Sequence, residues 1–164
     1  MAIEFSPAAK AKFAQTLTRY PIKRAAIMPT LWLAQEEFGW LSDEVMAYVA
    51  DLLELPPAFV ASVASFYTMY YRRPMGRHHV QVCTNLSCVL RGADEIVDCL
   101  RTRLGIDLGE TTADRRFSLS EVECLGSCGT APMMQINDDF CENLTPERTL
   151  EIVERLARDD GGAG

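Results

Sequence analysis

From Ser6 to Tyr67 apolar residues recur three and four positions apart between short breaks, which predicts four helices. Ser6 followed by Pro7 supplies an N-cap and a first helical residue, with Phe13 and Leu17 on one face and a stop at Tyr20 and Pro21. A second helix is expected over residues 23–38, with Ile27, Leu31 and Ala34 inward and Gly39 just past its end. Pro29, which lacks a backbone N–H, also suits a start later than Lys23. Ser42 caps a third helix carrying Met46, Val49, Ala50 and Leu53. Pro56 and Pro57 open a fourth with Val60, Val63, Ala64 and Tyr67 inward.

The periodicity stops at segment 71–79, where Arg72, Arg73, Arg77, His78 and His79 gather around Pro74 and Gly76. This stretch reads as a solvated linker, with a docking surface as the alternative. It divides the chain into a helical bundle at 1–75 and a second domain at 76–164. There Val80 to Cys83 alternates as a strand, and residues 86–104 carry Leu90, Ala93, Val97 and Leu100 at helical spacing. Phe117 to Val122 alternates again, and segments 133–137 and 140–143 flank Asp138 and Asp139 as a hairpin. Pro146 starts a last helix with Leu150, Val153 and Leu156 inward, and 159–164 reads as a loose tail. The expected class is α+β or α/β, a small sheet with helices packed against it.

Charge and missing motifs narrow the function. A net charge of −7 repels phosphate backbones and anionic lipid, so nucleic acid is not expected as a partner. No apolar run nears the roughly 20 residues that span a bilayer. The N-terminal sequence lacks the basic and apolar regions of a secretion signal, so a cytoplasmic protein with no direct membrane insertion is expected. No GxGxxG follows a strand and no GxxxxGK[ST] occurs, so neither NAD nor a nucleoside triphosphate should bind this chain alone. Glu36-Glu37 and Asp138-Asp139 read as a solvated helix face and a turn, which leaves no acid–base pair. With only His78 and His79, a HExxH site is excluded, and no catalytic residue is assigned.

Six cysteines without a secretion signal favour metal or redox chemistry over a disulfide framework. Cys83 and Cys88 enclose four residues, Cys124 and Cys128 enclose three, and each pair follows an expected strand. If a strand-helix-strand crossover makes those strands parallel, both pairs leave the sheet at one edge. A [2Fe-2S] cluster with four thiolates carries a formal charge of about −2, or −3 when reduced, which needs compensation. Asn85 as the cap of the following helix puts Cys88 in the first turn, near unpaired amides. The small residues Gly126, Ser127, Gly129, Thr130 and Ala131 let backbone amides approach a ligand, as they would in a bare turn. Spacing alone leaves four-cysteine zinc and thiol–disulfide chemistry as alternatives. Cys99, eleven positions beyond Cys88, is expected on the same helix about 16 Å away and outside the site. Cys141 is expected as a small buried hydrophobe.

Cys83-Thr84-Asn85-Leu86-Ser87-Cys88 followed by Arg91-Gly92, and Glu123-Cys124-Leu125-Gly126-Ser127-Cys128-Gly129-Thr130-Ala131-Pro132, resemble the 24-kilodalton-type iron-sulfur subunit of NADH:quinone oxidoreductase (complex I). Subunits of NAD-dependent formate dehydrogenases and NAD-reducing hydrogenases belong to the same family. The likeness extends to Arg24-Ala25-Ala26-Ile27, Gly39-Trp40-Leu41, Ala64-Ser65-Phe66-Tyr67 and Asn143-Leu144-Thr145-Pro146-Glu147. The resemblance implies a helical bundle followed by a thioredoxin-like [2Fe-2S] ferredoxin domain, with Pro132 where that fold places a cis-proline. It implies one iron on Cys83 and Cys88 and the other on Cys124 and Cys128. It also implies an electron-transfer subunit, inactive alone, peripheral to the membrane and partnered by a larger flavoprotein that binds NADH and FMN. The same role in a formate dehydrogenase or hydrogenase, or a zinc-stapled adapter, is the alternative.

Overall fold

The computed structural model describes residues 3–159, which form two compact units divided between Pro74 and Met75. The expected tail lies outside the described residues beyond Asp159, itself the last residue of the final helix.

In the first unit, α1 (Pro7–Leu17), α2 (Ile27–Phe38), α3 (Asp43–Leu53) and α4 (Pro57–Phe66) enclose a core built on Leu31, Leu41, Val49, Leu53 and Val60. The caps are those the sequence predicts. Ser6 Oγ accepts from Ala9 N at 3.2 Å, Ser42 Oγ accepts from Val45 N at 3.2 Å, and Gly39 ends α2 at φ 82°. Residues Lys23–Ala26 form a 3-10 turn, so α2 begins at Ile27, the later start that Pro29 favours. Tyr67 departs from expectation: it leaves α4 in an extended conformation and is exposed. Gln35 draws the chain back instead, its Nε2 donating to Met69 O at 3.0 Å and its Oε1 accepting from Tyr71 N at 2.6 Å. Buried Tyr70 then donates to Met28 O at 2.9 Å.

The second unit contains a four-stranded sheet in the order β2-β1-β3-β4. Strand β1 (His78–Cys83) pairs in parallel with β2 (Phe117–Val122), and antiparallel with β3 (Met134–Ile136), which pairs antiparallel with β4 (Asp139–Cys141). Helices α5 (Leu86–Val89) and α6 (Ala93–Leu104) make the β1-to-β2 crossover, and α7 (Pro146–Asp159) follows β4. Val80, Val82, Leu119, Met134, Ile96, Leu100 and Val153 join strands and helices in one core.

Three expectations shift here. The single helix over 86–104 is two, because Gly92 at φ 96° breaks it, and Leu90 is 76% exposed instead of inward. Strand β1 starts at His78, so the segment read as a linker supplies two strand residues, and His79 is buried. In the hairpin, Asn137 at φ 52° turns the chain and β4 begins at Asp139, earlier than expected. Gly76 precedes β1 where only a glycine fits: a Cβ there would lie 2.6 Å from the Phe117 carbonyl carbon.

Candidate metal centre

Parallel pairing of β1 and β2 brings the two cysteine loops to the same edge of the sheet, with Cys83 opposite Val122 at the last register position. Cys83 ends β1, and its N–H donates to Met133 O at 3.2 Å. Asn85 Oδ1 accepts from Leu86 N at 2.7 Å, so α5 is capped as predicted and Cys88 lies within its single turn. Cys83 and Cys88 are buried with Ala93, Ala131 and Met133 around them and Leu125 against the group. Leu86, Val89 and Leu90, on and just after the same short helix, are exposed.

Cys124 and Cys128 are exposed. The β2-to-β3 connection carries them through Gly126, at φ 80°, into a 3-10 turn at Cys128–Thr130, and the following Ala131–Pro132 peptide is cis. The two loops act on each other electrostatically: Cys88 and Cys124 both influence the Cys83 thiol, and Cys83 and Cys128 both influence Cys88. Among the described residues, no three His, Cys, Asp or Glu side chains converge as ligands of a single ion.

Electrostatics divide the buried pair. Burial pushes the Cys88 thiol up to about 11, and the neighbouring Cys83 adds to the rise. At Cys83 burial also raises the value, but amide hydrogen bonds from Asn85 and Leu125, with contacts from Cys88 and Cys124, outweigh it and leave the thiol below its ordinary range. Met133 offers a backbone hydrogen bond to Cys88, and Gly126 N–H points to Cys124 Sγ at 3.4 Å. Amides aimed at sulfur stabilise thiolates, the state in which cysteine binds metal. Four soft sulfur donors, arranged in two loops and with backbone amides directed at Cys83, Cys88 and Cys124, fit a [2Fe-2S] cluster.

Two further residues shape the site. Arg91 Nε donates to Ala131 O at 2.7 Å, joining the segment after the first cysteine pair to the segment after the second. Glu142, just beyond β4, accepts from Ser127 and from Thr130, on either side of Cys128. The sequence marks Arg91 only through the resemblance and gives no sign of Glu142, which lies fourteen positions from Cys128 until the hairpin returns it. Cys99 sits apart on α6, its Sγ directed at Pro146 O at 3.7 Å beside an open surface groove between α6 and the start of α7. The break at Gly92 means that it does not share a continuous helix with Cys88. Half-buried Cys141 ends β4 and packs on the sheet core.

Residues 13–157 match the family described as thioredoxin-like [2Fe-2S] ferredoxin. An NADH-quinone oxidoreductase subunit of Rickettsia bellii is 47% identical over 146 residues, 87% of each chain. Its counterpart in Rhizobium meliloti, also a subunit of NADH-quinone oxidoreductase, is 46% identical over 136 residues, covering 83% of this chain and 81% of its own. The mitochondrial NADH dehydrogenase [ubiquinone] flavoprotein 2 of Dictyostelium discoideum is 45% identical over 148 residues, 88% of this chain and 60% of that one. Among solved structures, an NAD+-reducing [NiFe]-hydrogenase in its air-oxidized state superposes with a TM-score of 0.72 at 23% identity. That match covers 81% of this chain and 23% of the hydrogenase chain, and it is a likeness of fold.

Proposed function

We propose that this chain, which belongs to the thioredoxin-like [2Fe-2S] ferredoxin family alongside the NADH-quinone oxidoreductase subunits of Rickettsia and Rhizobium, is the electron-transfer subunit of such an oxidoreductase. Cys83, Cys88, Cys124 and Cys128 are the ligands. The observation that carries the reading is the parallel β1–β2 pair, which delivers both cysteine loops to one edge of the sheet.

The cluster, when bound, supplies reversible one-electron transfer. The protein's part is to hold and tune it. Cys83 and Cys88 form its shielded side, walled by Ala93, Ala131 and Met133. The amides of Asn85, Leu125 and Gly126 supply hydrogen bonds to sulfur, which favour the more negative reduced state. Exposed Cys124 and Cys128 leave the other side open to a partner.

That partner is a larger flavoprotein subunit binding NADH and FMN, with which single electrons are exchanged. The missing nucleotide motifs and the absence of an acid–base pair in the sequence support this division of labour. No single helix among the described residues is long and apolar enough to cross a membrane, so attachment to one would run through other subunits. Purification from the native source tests the assembly. An FMN-containing subunit should copurify with quinone-reductase subunits, and NADH should reduce this chain's cluster only when the flavoprotein is present. Copurification with a formate dehydrogenase or hydrogenase catalytic subunit instead would move the same role to those hosts. Cluster reduction by NADH in the isolated chain would contradict the reading.

A further inference from the structure

The loop holding Cys124 and Cys128 consists largely of small residues, and both cysteines are exposed. Within it, Thr130 N–H donates to Ser127 O at 3.1 Å, Gly126 N–H points to Cys124 Sγ, and Leu125 packs against the buried Cys83 and Cys88 group. A ledge formed by residues 142–144 supports it from outside. Asn143 N–H donates to Thr130 O at 2.7 Å, and Leu144 N–H donates to Pro132 O at 2.9 Å.

The side-chain part of that ledge is Glu142. One oxygen, Oε1, accepts from Ser127 Oγ and also from Thr130 Oγ1, the latter at 2.6 Å, while the two hydroxyl oxygens stand 2.7 Å apart. An ionised carboxylate accepts only and each hydroxyl has one proton to give, so Glu142 is the nearest acceptor for both, with Ser127 O the longer alternative for Thr130 Oγ1 at 3.1 Å. Those hydrogen bonds hold the carboxyl below the usual carboxylate range. Ser127 also precedes the 3-10 turn as its N-cap, yet its hydroxyl makes no capping bond. It is committed to Glu142.

We propose that Glu142 is a positioning residue for the metal centre: by binding the hydroxyls on both sides of Cys128 it fixes that cysteine's loop in the conformation that holds the cluster. The inference rests on the ligand assignment above. It also explains why an acidic group sits beside an anionic site, where its charge disfavours one-electron reduction: the anchoring of the loop is what it provides.

The test uses the full chain with Glu142→Gln and Glu142→Ala, in metal-free and cluster-loaded forms. Gln keeps an acceptor oxygen and loses the charge; Ala loses both. In metal-free protein, amide exchange at residues 127–130 should be about tenfold faster in Glu142→Ala than in wild type. In loaded protein, Glu142→Ala should lose iron to a chelator about ten- to a hundredfold faster. Glu142→Gln should retain iron much nearer to wild type while its reduction potential rises. Wild-type exchange in metal-free Glu142→Ala overturns the proposal, and so does faster exchange without faster iron loss. If wild-type protein binds no iron-sulfur cluster, the ligand assignment fails and the positioning role with it, while the exchange result still reports whether Glu142 anchors the loop.

Discussion

Cys83 and Val122 face one another across the parallel β1–β2 pair, the last partners in its register. Beyond them the ladder hands over to the loops: Thr84 N–H donates to Val122 O at 3.0 Å, and both cysteine segments depart from the same edge. The sheet register thereby fixes the separation of two cysteine pairs that lie far apart in sequence.

Ligand and non-ligand cysteines should separate cleanly by substitution. Cys83→Ser and Cys124→Ser should each abolish or severely impair cluster binding, because each removes a thiolate that oxygen replaces poorly at iron. Cys99→Ser and Cys141→Ser should retain the full complement of iron and acid-labile sulfide. Visible absorption with iron and sulfide counts per chain checks all four.

Arg91 should matter through its bond to Ala131 O rather than through contact with metal. Arg91→Ala removes a charged donor that joins the two loops, at a cost of about 1 kcal/mol at this exposed position. Arg91→Lys, with a differently shaped donor group, should recover only part of it. Urea unfolding midpoints of the metal-free variants measure the effect.

Gly76 approaches the backbone of β2 too closely for any side chain. Gly76→Ala should destabilise the second unit by about 1–3 kcal/mol, the range for overpacking a tight contact. Thermal unfolding followed by circular dichroism reads the loss directly, and an unchanged midpoint would contradict the close approach.

Tyr70 links the first unit's stability to pH. Burial pushes its phenol up to about 12, with a smaller contribution from nearby Tyr67. The folded value lies above the unfolded one of about 10, so the stabilising contribution is complete below pH 10 and is lost as pH rises toward 12. Tyr70→Phe should flatten that decline and cost about 1 kcal/mol at neutral pH, because the hydrogen bond to Met28 O disappears. Denaturant titrations at pH 7 and across the alkaline range provide the comparison.

How much of this was legible in the sequence depended on the range of the interaction. Ser6, Ser42 and Asn85 cap helices with their own neighbours, so local chemistry was sufficient. Parallel pairing of β1 and β2 followed from the handed crossover that a strand, a helix and a strand require. Leu90 fits helical spacing, yet Gly92 ends the turn and turns that residue out, a choice made by backbone conformation rather than by apolar pattern. His78 and His79 look like part of a basic linker until strand pairing recruits them. Glu142 had no local signature because its role exists only after the β3–β4 hairpin folds back on the cysteine loop.

The central claim is that four cysteines at one sheet edge hold a two-iron cluster, and electron paramagnetic resonance on anaerobically purified full-length protein tests it most directly. Coloured protein with about two irons and two acid-labile sulfides per chain, silent when oxidised and giving an S = 1/2 signal on reduction with dithionite, is the predicted result. Colourless protein carrying stoichiometric zinc, no labile sulfide and no signal on reduction would contradict the account.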